Sequence, residues 1–166
     1  MAVRPVVRYP GSVLKRPADR VGEITPRLRA VAEDLVDTMR ASPATVGLAA
    51  PQIGESVRVF ALDVSGHPKA QHSHGLVVLF DPEVLEAGDP EVRREGCLSV
   101  PDLTADVRRA RRLLIAGIDP EGARSELSME GFEARAALHE VDHLDGLLIL
   151  DRVDTPSSLF PRRVYR

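Results

Sequence analysis

Tryptophan is absent, aromatic residues make up only 4% of the chain, and there is a single cysteine, Cys97. One cysteine excludes an internal disulfide. With so few rings, the core has to be built mostly from Val, Leu, Ile and Ala, for which an apolar content of 43% is ordinary. Long apolar runs are also missing. The longest aliphatic run, residues 147–150, is far short of the ~20 residues a membrane helix needs. The first nine residues carry no apolar h-region, so no signal peptide is expected. Positive charge is not in excess either: a formal net charge of −3 argues against general nucleic-acid affinity. Of 22 basic residues only Lys15 and Lys69 are lysines, which reads as genome composition rather than function. There is no repeat and no low-complexity linker, and 166 residues suit a single domain spanning 1–166.

The most informative stretch is Leu138-His139-Glu140-Val141-Asp142-His143-Leu144-Asp145-Gly146. Residues 132–144 are rich in good helix formers, and Gly146 suits a left-handed C-cap. On a helix, His139 and His143 share one face a turn apart, so both imidazoles reach one metal ion, with Glu140 beside whatever else the ion binds. Two core histidines are the plainer alternative, but a core helix has no use for Glu140 and Asp142 next to its buried stripe. A third ligand is needed. A longer form of the motif would put a histidine at 149, where this chain has Ile149, and no glutamate follows Glu140. Asp151 and Asp154 lie downstream without a recognised spacing, which turns attention upstream to Cys97. A thiolate with two imidazoles is a sound transition-metal set that leaves a position open for water.

The rest of the chain is read around that helix. Residues 1–23 are irregular. Thr25-Pro26 opens a helix whose Leu28, Val31, Ala32, Leu35 and Met39 form one apolar stripe, ended by Ser42-Pro43. Residues 47–52 read as a small-residue loop and 57–62 as a strand. Residues 64–75 read as a solvated loop despite His67, His72 and His74. A short strand over 76–80 is expected to end at Asp81-Pro82, with weaker strands over 84–86 and 91–94. Arg108, Arg109, Arg111 and Arg112 read as a charged, solvated strand end leading into a strand over 113–116. A turn at 119–122 and a last strand over 147–150 complete the reading. Several short strands around two helices imply an α+β domain.

Three segments together resemble the peptide deformylase family: Thr45-Val46-Gly47-Leu48-Ala49-Ala50-Pro51-Gln52, Glu95-Gly96-Cys97-Leu98-Ser99, and the helix motif from His139 to Gly146. They occur in the family's order at similar separations, across nearly the whole chain. The resemblance implies mixed or antiparallel β-sheets packed around a central metal-binding helix. It implies Cys97, His139 and His143 as metal ligands, with Fe²⁺ in the cell and nickel or zinc as substitutes. It implies Glu140 as general base, and the Gln52 amide and Leu98 N–H as donors to the developing oxyanion. By the same resemblance Val46, Gly47 and Leu98 line the substrate groove, and Leu138 with Ala137 borders the methionine pocket. Glu95 would hold the loop that presents Cys97, and Asp142 would support the ligands from behind.

The implied reaction is hydrolysis of N-formyl-methionine at the start of nascent peptides, in the cytoplasm, where a metal-ligating thiol escapes oxidation. Transient contact with the ribosome is the implied partner, with no nucleic-acid recognition and no membrane. The chain stops at Arg166 soon after Pro156 and Pro161, so it reads as a form without the long C-terminal helix that members often add. Two residues depart from the family pattern. Thr45 replaces a glycine, and would be strained if φ were positive there. Leu138 replaces a glutamine. They motivate an alternative substrate, a small formylated metabolite. A metal-stabilised binding protein is a third possibility, against which stand Glu140 and Gln52.

Overall fold

The computed structural model describes residues 2–163. Residues 164–166, on which part of the expectation of a chain without a C-terminal helix rested, lie outside the described residues. Among the described residues, six strands and two α-helices follow in the order α1 (Pro26–Ala41), β1 (Gly47–Ala49), β2 (Val59–Leu62), β3 (Val77–Cys97), β4 (Val100–Ile118), β5 (Arg124–Glu130), α2 (Gly131–Leu144) and β6 (Leu159–Pro161). All pairings between these strands are antiparallel, in the order β1-β2-β3-β4-β5, with β6 against the start of β4. The fold is α+β, as expected.

The α1 helix begins as its sequence predicts. The Thr25 hydroxyl accepts the Leu28 N–H at 3.3 Å, and Pro26, with no N–H to satisfy, opens the first turn. Its apolar stripe packs with Leu48, Ala61 and Phe80 on one side of the β1–β2 layer. Ala49, Phe60 and Leu62 alternate to the other side and pack with Ala134, Ala137 and Leu144 of α2. All four residues of β2 are therefore fully buried, which explains why 59–62 reads as an unbroken apolar run. The two helices thus cover opposite faces of one short stretch of sheet, with α2 held inside the molecule.

Several strand boundaries differ from the expectation. The segments at 76–80, 84–86 and 91–94 belong to one 21-residue strand, β3. Asp81 does not end it. It adopts a left-handed φ of 46°, which aspartate tolerates, and its carboxylate accepts the N–H groups of Val21 and Gly22 at 2.9 and 3.0 Å. Register shifts between Phe80 and Glu83 and between Val84 and Glu86 mark bulges, which let a strand bend and continue. Residues 47–52 are not a loop but the edge strand β1 followed by a 3-10 turn, Ala50–Ile53. The strand expected at 147–150 is absent. The Asp151 carboxylate accepts the Leu148 N–H at 2.8 Å, and this local bond draws the backbone into the 3-10 turn Ile149–Asp151. Strand β5 was not anticipated. Its buried Met129, with Leu127 half-buried two residues before it, pairs with Leu113 and Ile115 of β4.

The C-terminal end of α2 is tied in firmly. Arg58 donates to the Leu144 carbonyl at 2.8 Å and pairs with Asp145 at 3.0 Å. Gly146 has a left-handed φ of 76°, and a Cβ there would sit 2.8 Å from the Arg16 backbone, so position 146 needs glycine on both counts. Among the described residues no helix is long and apolar enough to cross a membrane.

Candidate active site

Three chain segments meet around one point. The α2 helix carries His139 and His143 one turn apart, and their Nε2 atoms lie 3.2 Å from each other. Strand β3 ends at Cys97, whose Sγ is 3.4 Å from His143 Nε2. The three potential ligand atoms all fall within 4.8 Å of one another. Nitrogens at ~2.1 Å and sulfur at ~2.3 Å from a tetrahedral ion would be about 3.4–3.6 Å apart, so the two contacts are close to the edges of such a site. Without a cation between them, a thiol and two ring nitrogens crowd together to no purpose. The donor set fits a transition-metal ion.

What surrounds these three residues aims them. His139 Nδ1 donates to Glu95 at 2.9 Å, which turns Nε2 toward the other two donors. Glu95 is itself gripped by Arg109, through bonds of 2.9 and 3.0 Å, and by Arg135 at 2.6 Å. Arg109 continues to Asp142 at 2.5 Å, and Arg152 holds the same carboxylate at 2.6 and 2.9 Å. This buried chain of charges ties β3, β4 and α2 together behind the ligands. Burial alone would raise the Glu95 carboxyl, but hydrogen bonds from His139 and Arg109 overcome it and hold the group well below the carboxylate range. Burial also opposes a charge on His139, yet its bonds to Cys97 and Glu95 win and raise its pKa. Burial, aided by His139 and Arg109, pushes His143 well down.

Glu140 lies beside the ligands and is almost wholly buried. Its Oε2 has no hydrogen-bond partner among the described residues. Burial pushes its pKa up to about 7, against the pull of His139 and Arg109. Its Oε1 is 2.7 Å from the place a Cβ on Gly47 would take, so the missing side chain on β1 makes room for the carboxylate. Gln52 reaches the site from the 3-10 turn after β1. Its Oε1 accepts the Ala49 N–H at 3.0 Å, while Nε2 donates to Ser99 Oγ at 3.1 Å and makes a long contact of 3.7 Å to Cys97 Sγ.

A cleft of about 390 Å³ opens over this centre, lined by Val46, Gly47, Gln52, Leu98, His139 and Glu140 among others. Leu138 and Ala137 are outside that lining. Ala137 is fully buried, and both pack on the apolar cluster around Phe60, while Ala136 faces the cleft instead. Thr45 lines the cleft but does not have positive φ; its neighbour Ala44 does, at 56°. The strain anticipated for a β-branched residue therefore does not arise at 45.

One expectation about charge and solvent is corrected. Arg109 is not on a solvated strand end: it is 6% exposed and central to the charge network. Its position was readable, since it falls in phase at period two with Ala105, Val107, Leu113 and Ile115, the inward face of β4. Arg135 was passed over as a helix former, although it stands four residues before His139 on the same face. The loop at 64–75 is less free than its composition suggests. His67 stacks on Phe132, with ring centres 4.3 Å apart, and His74 bonds the buried Glu133 at 2.6 Å.

The family model described as polypeptide deformylase matches residues 3–158. A peptide deformylase of Desulforudis audaxviator is 45% identical over 157 residues, covering 93% of this chain and 96% of the relative. One from Thermodesulfovibrio yellowstonii is 37% identical over 166 residues, covering 100% and 96%. Among solved structures, the peptide deformylase of Thermotoga maritima superposes with a TM-score of 0.83 at 34% identity, covering 93% of this chain and 100% of that one. That of Legionella pneumophila gives 0.84 at 33% identity, covering 95% and 89%.

Proposed function

The chain belongs to the polypeptide deformylase family, and on that premise we propose how its residues divide the work. The enzyme hydrolyses the N-formyl group of N-formyl-methionyl peptides at the start of nascent proteins, releasing formate and a free amine. It is metal-dependent, and Cys97, His139 and His143 are the residues that would hold the ion. A dication held there would supply Lewis acidity, which can lower the pKa of water to about 7.

Glu140 takes the proton of the attacking water and later delivers it to the leaving amine as the C–N bond breaks. The Leu98 N–H and the Gln52 amide donate to the oxygen that becomes negative at the formyl carbon. Gln52 frees a hydrogen for this by giving up its 3.7 Å contact to Cys97, the weaker of its two donations, while Ser99 keeps the other. Val46, Gly47 and Leu98 border the groove in which the peptide lies extended, with the outer edge of β1 offering it backbone partners. Glu95 holds the His139 tautomer, and Asp142 holds Arg109 in place behind it.

The observation that carries this division is Glu140, buried and unpartnered at Oε2, fitted into the space left by Gly47 beside three converging ligand atoms. The small-metabolite alternative is weakened: Thr45 lines the cleft without positive φ, and Leu138, half-buried against the apolar cluster around Phe60, is outside the lining. Iron(II) is the ion we assign in the cell, on the family likeness; zinc binds such a set more tightly. We assign one catalytic domain across 1–166 and a cytoplasmic site of action, where a metal-ligating thiol stays reduced. There it meets formylated chains as they leave the ribosome, without reading nucleic acid. The test is anaerobic purification with metal analysis, followed by formate release from formyl-Met-Ala. One equivalent of metal with turnover is the expected result. Metal lost together with activity in Cys97→Ala ties both to the triad, and normal turnover in that variant would refute it.

A further inference from the structure

A second cleft, of about 820 Å³, adjoins the catalytic one. The two share Lys69, Arg94, Phe132 and Arg135, so they form one continuous path. Most of its cations already have partners. Arg94 pairs with Asp106 at 2.8 Å and lies over the Phe160 ring, Arg111 pairs with Asp89 at 2.7 Å, and Arg135 is committed to Glu95. Three cations along the path have no carboxylate partner among the described residues: Lys69 on the loop after β2, where the two clefts meet, Arg112 on β4, in the second cleft, and Arg162 just beyond β6, in the catalytic one. They come from three separate parts of the chain and converge on the same path. Arg162 is anchored by its backbone N–H on the Asp102 carbonyl at 2.9 Å. Its guanidinium folds over Gly96, with Nη2 2.9 Å from the place a Cβ there would take, next to Cys97.

We propose that this path selects formyl peptides by charge, binding acidic side chains beyond the first two residues of the substrate and disfavouring basic ones. The inference rests on the deformylase reading above. Continuity with the catalytic cleft favours the substrate's own chain as the occupant, because the two clefts share Phe132 and Arg135 in their walls. Glu91 and Glu130 are interspersed with the cations. A peptide with a few discrete charges tolerates that pattern better than an unbroken phosphate backbone does, and a net charge of −3 agrees.

Exposed ion pairs are each worth about 2–5-fold in affinity, so two acidic side chains against two basic ones give roughly 10-fold. The experiment compares kcat/KM for formyl-Met-Ala-Ser-Asp-Asp, the same peptide ending Asn-Asn, and the same ending Lys-Lys. It is run with the metal-loaded enzyme at about 20 mM and about 0.5 M salt. The acidic peptide is expected to exceed the basic one about 10-fold at low salt, chiefly through KM, with the ratio falling toward one at high salt. Lys69→Gln and Arg162→Gln should each lower that ratio about 2–3-fold, the ratio being taken within each enzyme. Lys69, on a surface loop, carries the test if the Arg162 variant fails to fold.

Equal rates for the three peptides at low salt would overturn the inference and leave the deformylase reading intact. A charge preference that neither variant changes would overturn it too. Inhibition of all three peptides alike by single-stranded RNA at low salt would assign the path to nucleic acid and overturn it. No formate from any peptide would overturn the reading beneath it, and the inference with it.

Discussion

Position 47 is glycine because of Glu140. A methyl group there would sit 2.7 Å from Oε1, so the carboxylate would have to move. Gly47→Ala should therefore displace the base without touching the ligands. Displacements of about an ångström cost on the order of 10²-fold in rate, so kcat should fall by that order while metal content stays at one equivalent. Formate release and metal analysis on one preparation check it. Glu140→Gln isolates the proton transfer itself. It keeps the size of the side chain but cannot accept a proton, and should lower kcat by ~10²–10⁴. Metal content and affinity for a peptide hydroxamate, which needs only the groove and the ion, should be retained. Near wild-type turnover would remove Glu140 from the mechanism, and loss of metal would make it a structural residue.

Strand β4 has two functions along its length. Its far half pairs with β5, and its near half turns Arg109 inward to hold Glu95 on β3 and Asp142 on α2. One guanidinium thus sets the distance between the strand that carries Cys97 and the helix that carries both histidines. Arg109→Ala would leave two buried carboxylates facing each other without their common cation. Breaking such a network costs about 3–5 kcal/mol, which urea denaturation would report. Metal affinity should also fall, by ~10–100-fold, because Glu95 no longer aims His139 firmly. A variant with normal stability and normal metal affinity would show that Arg135 and Arg152 suffice.

At the scale of the whole molecule the ligands are supplied by β3 and α2, elements separated in sequence by β4 and β5. An ion that joins them binds the folded chain and not the unfolded one. At a concentration about 1,000 times Kd it adds ~4 kcal/mol, and for a chain of this size that is roughly 10 °C in Tm. Chelation should lower the melting temperature by about that amount, and restoring Fe²⁺ or Zn²⁺ should reverse it. Cys97→Ala, with one bridgehead gone, should respond to added metal much less. Equal thermal shifts in wild type and Cys97→Ala would mean that the stabilising ion sits elsewhere.

What the sequence determined by itself was whatever depends on near neighbours along the chain. The spacing of His139 and His143, the Thr25-Pro26 start of α1 and the glycine after α2 are local facts, because hydrogen bonds within a helix span four residues. The three motifs carried the chemistry for the same reason: each is contiguous. What depends on distant partners was decided by the tertiary structure. Asp81 looks like an ordinary turn residue, and only its distant partners Val21 and Gly22 make it part of a bulge inside β3. Arg109 reads as solvated because an arginine is buried only where carboxylates await it, and those are 14 and 33 residues away. Leu138 sits beside a ligand in sequence yet faces the core, since adjacent helical positions point about 100° apart. Which side chains line the cleft is set by how α2 is rotated against the sheet, and that rotation comes from its packing on the face of β2 that carries Phe60 and Leu62.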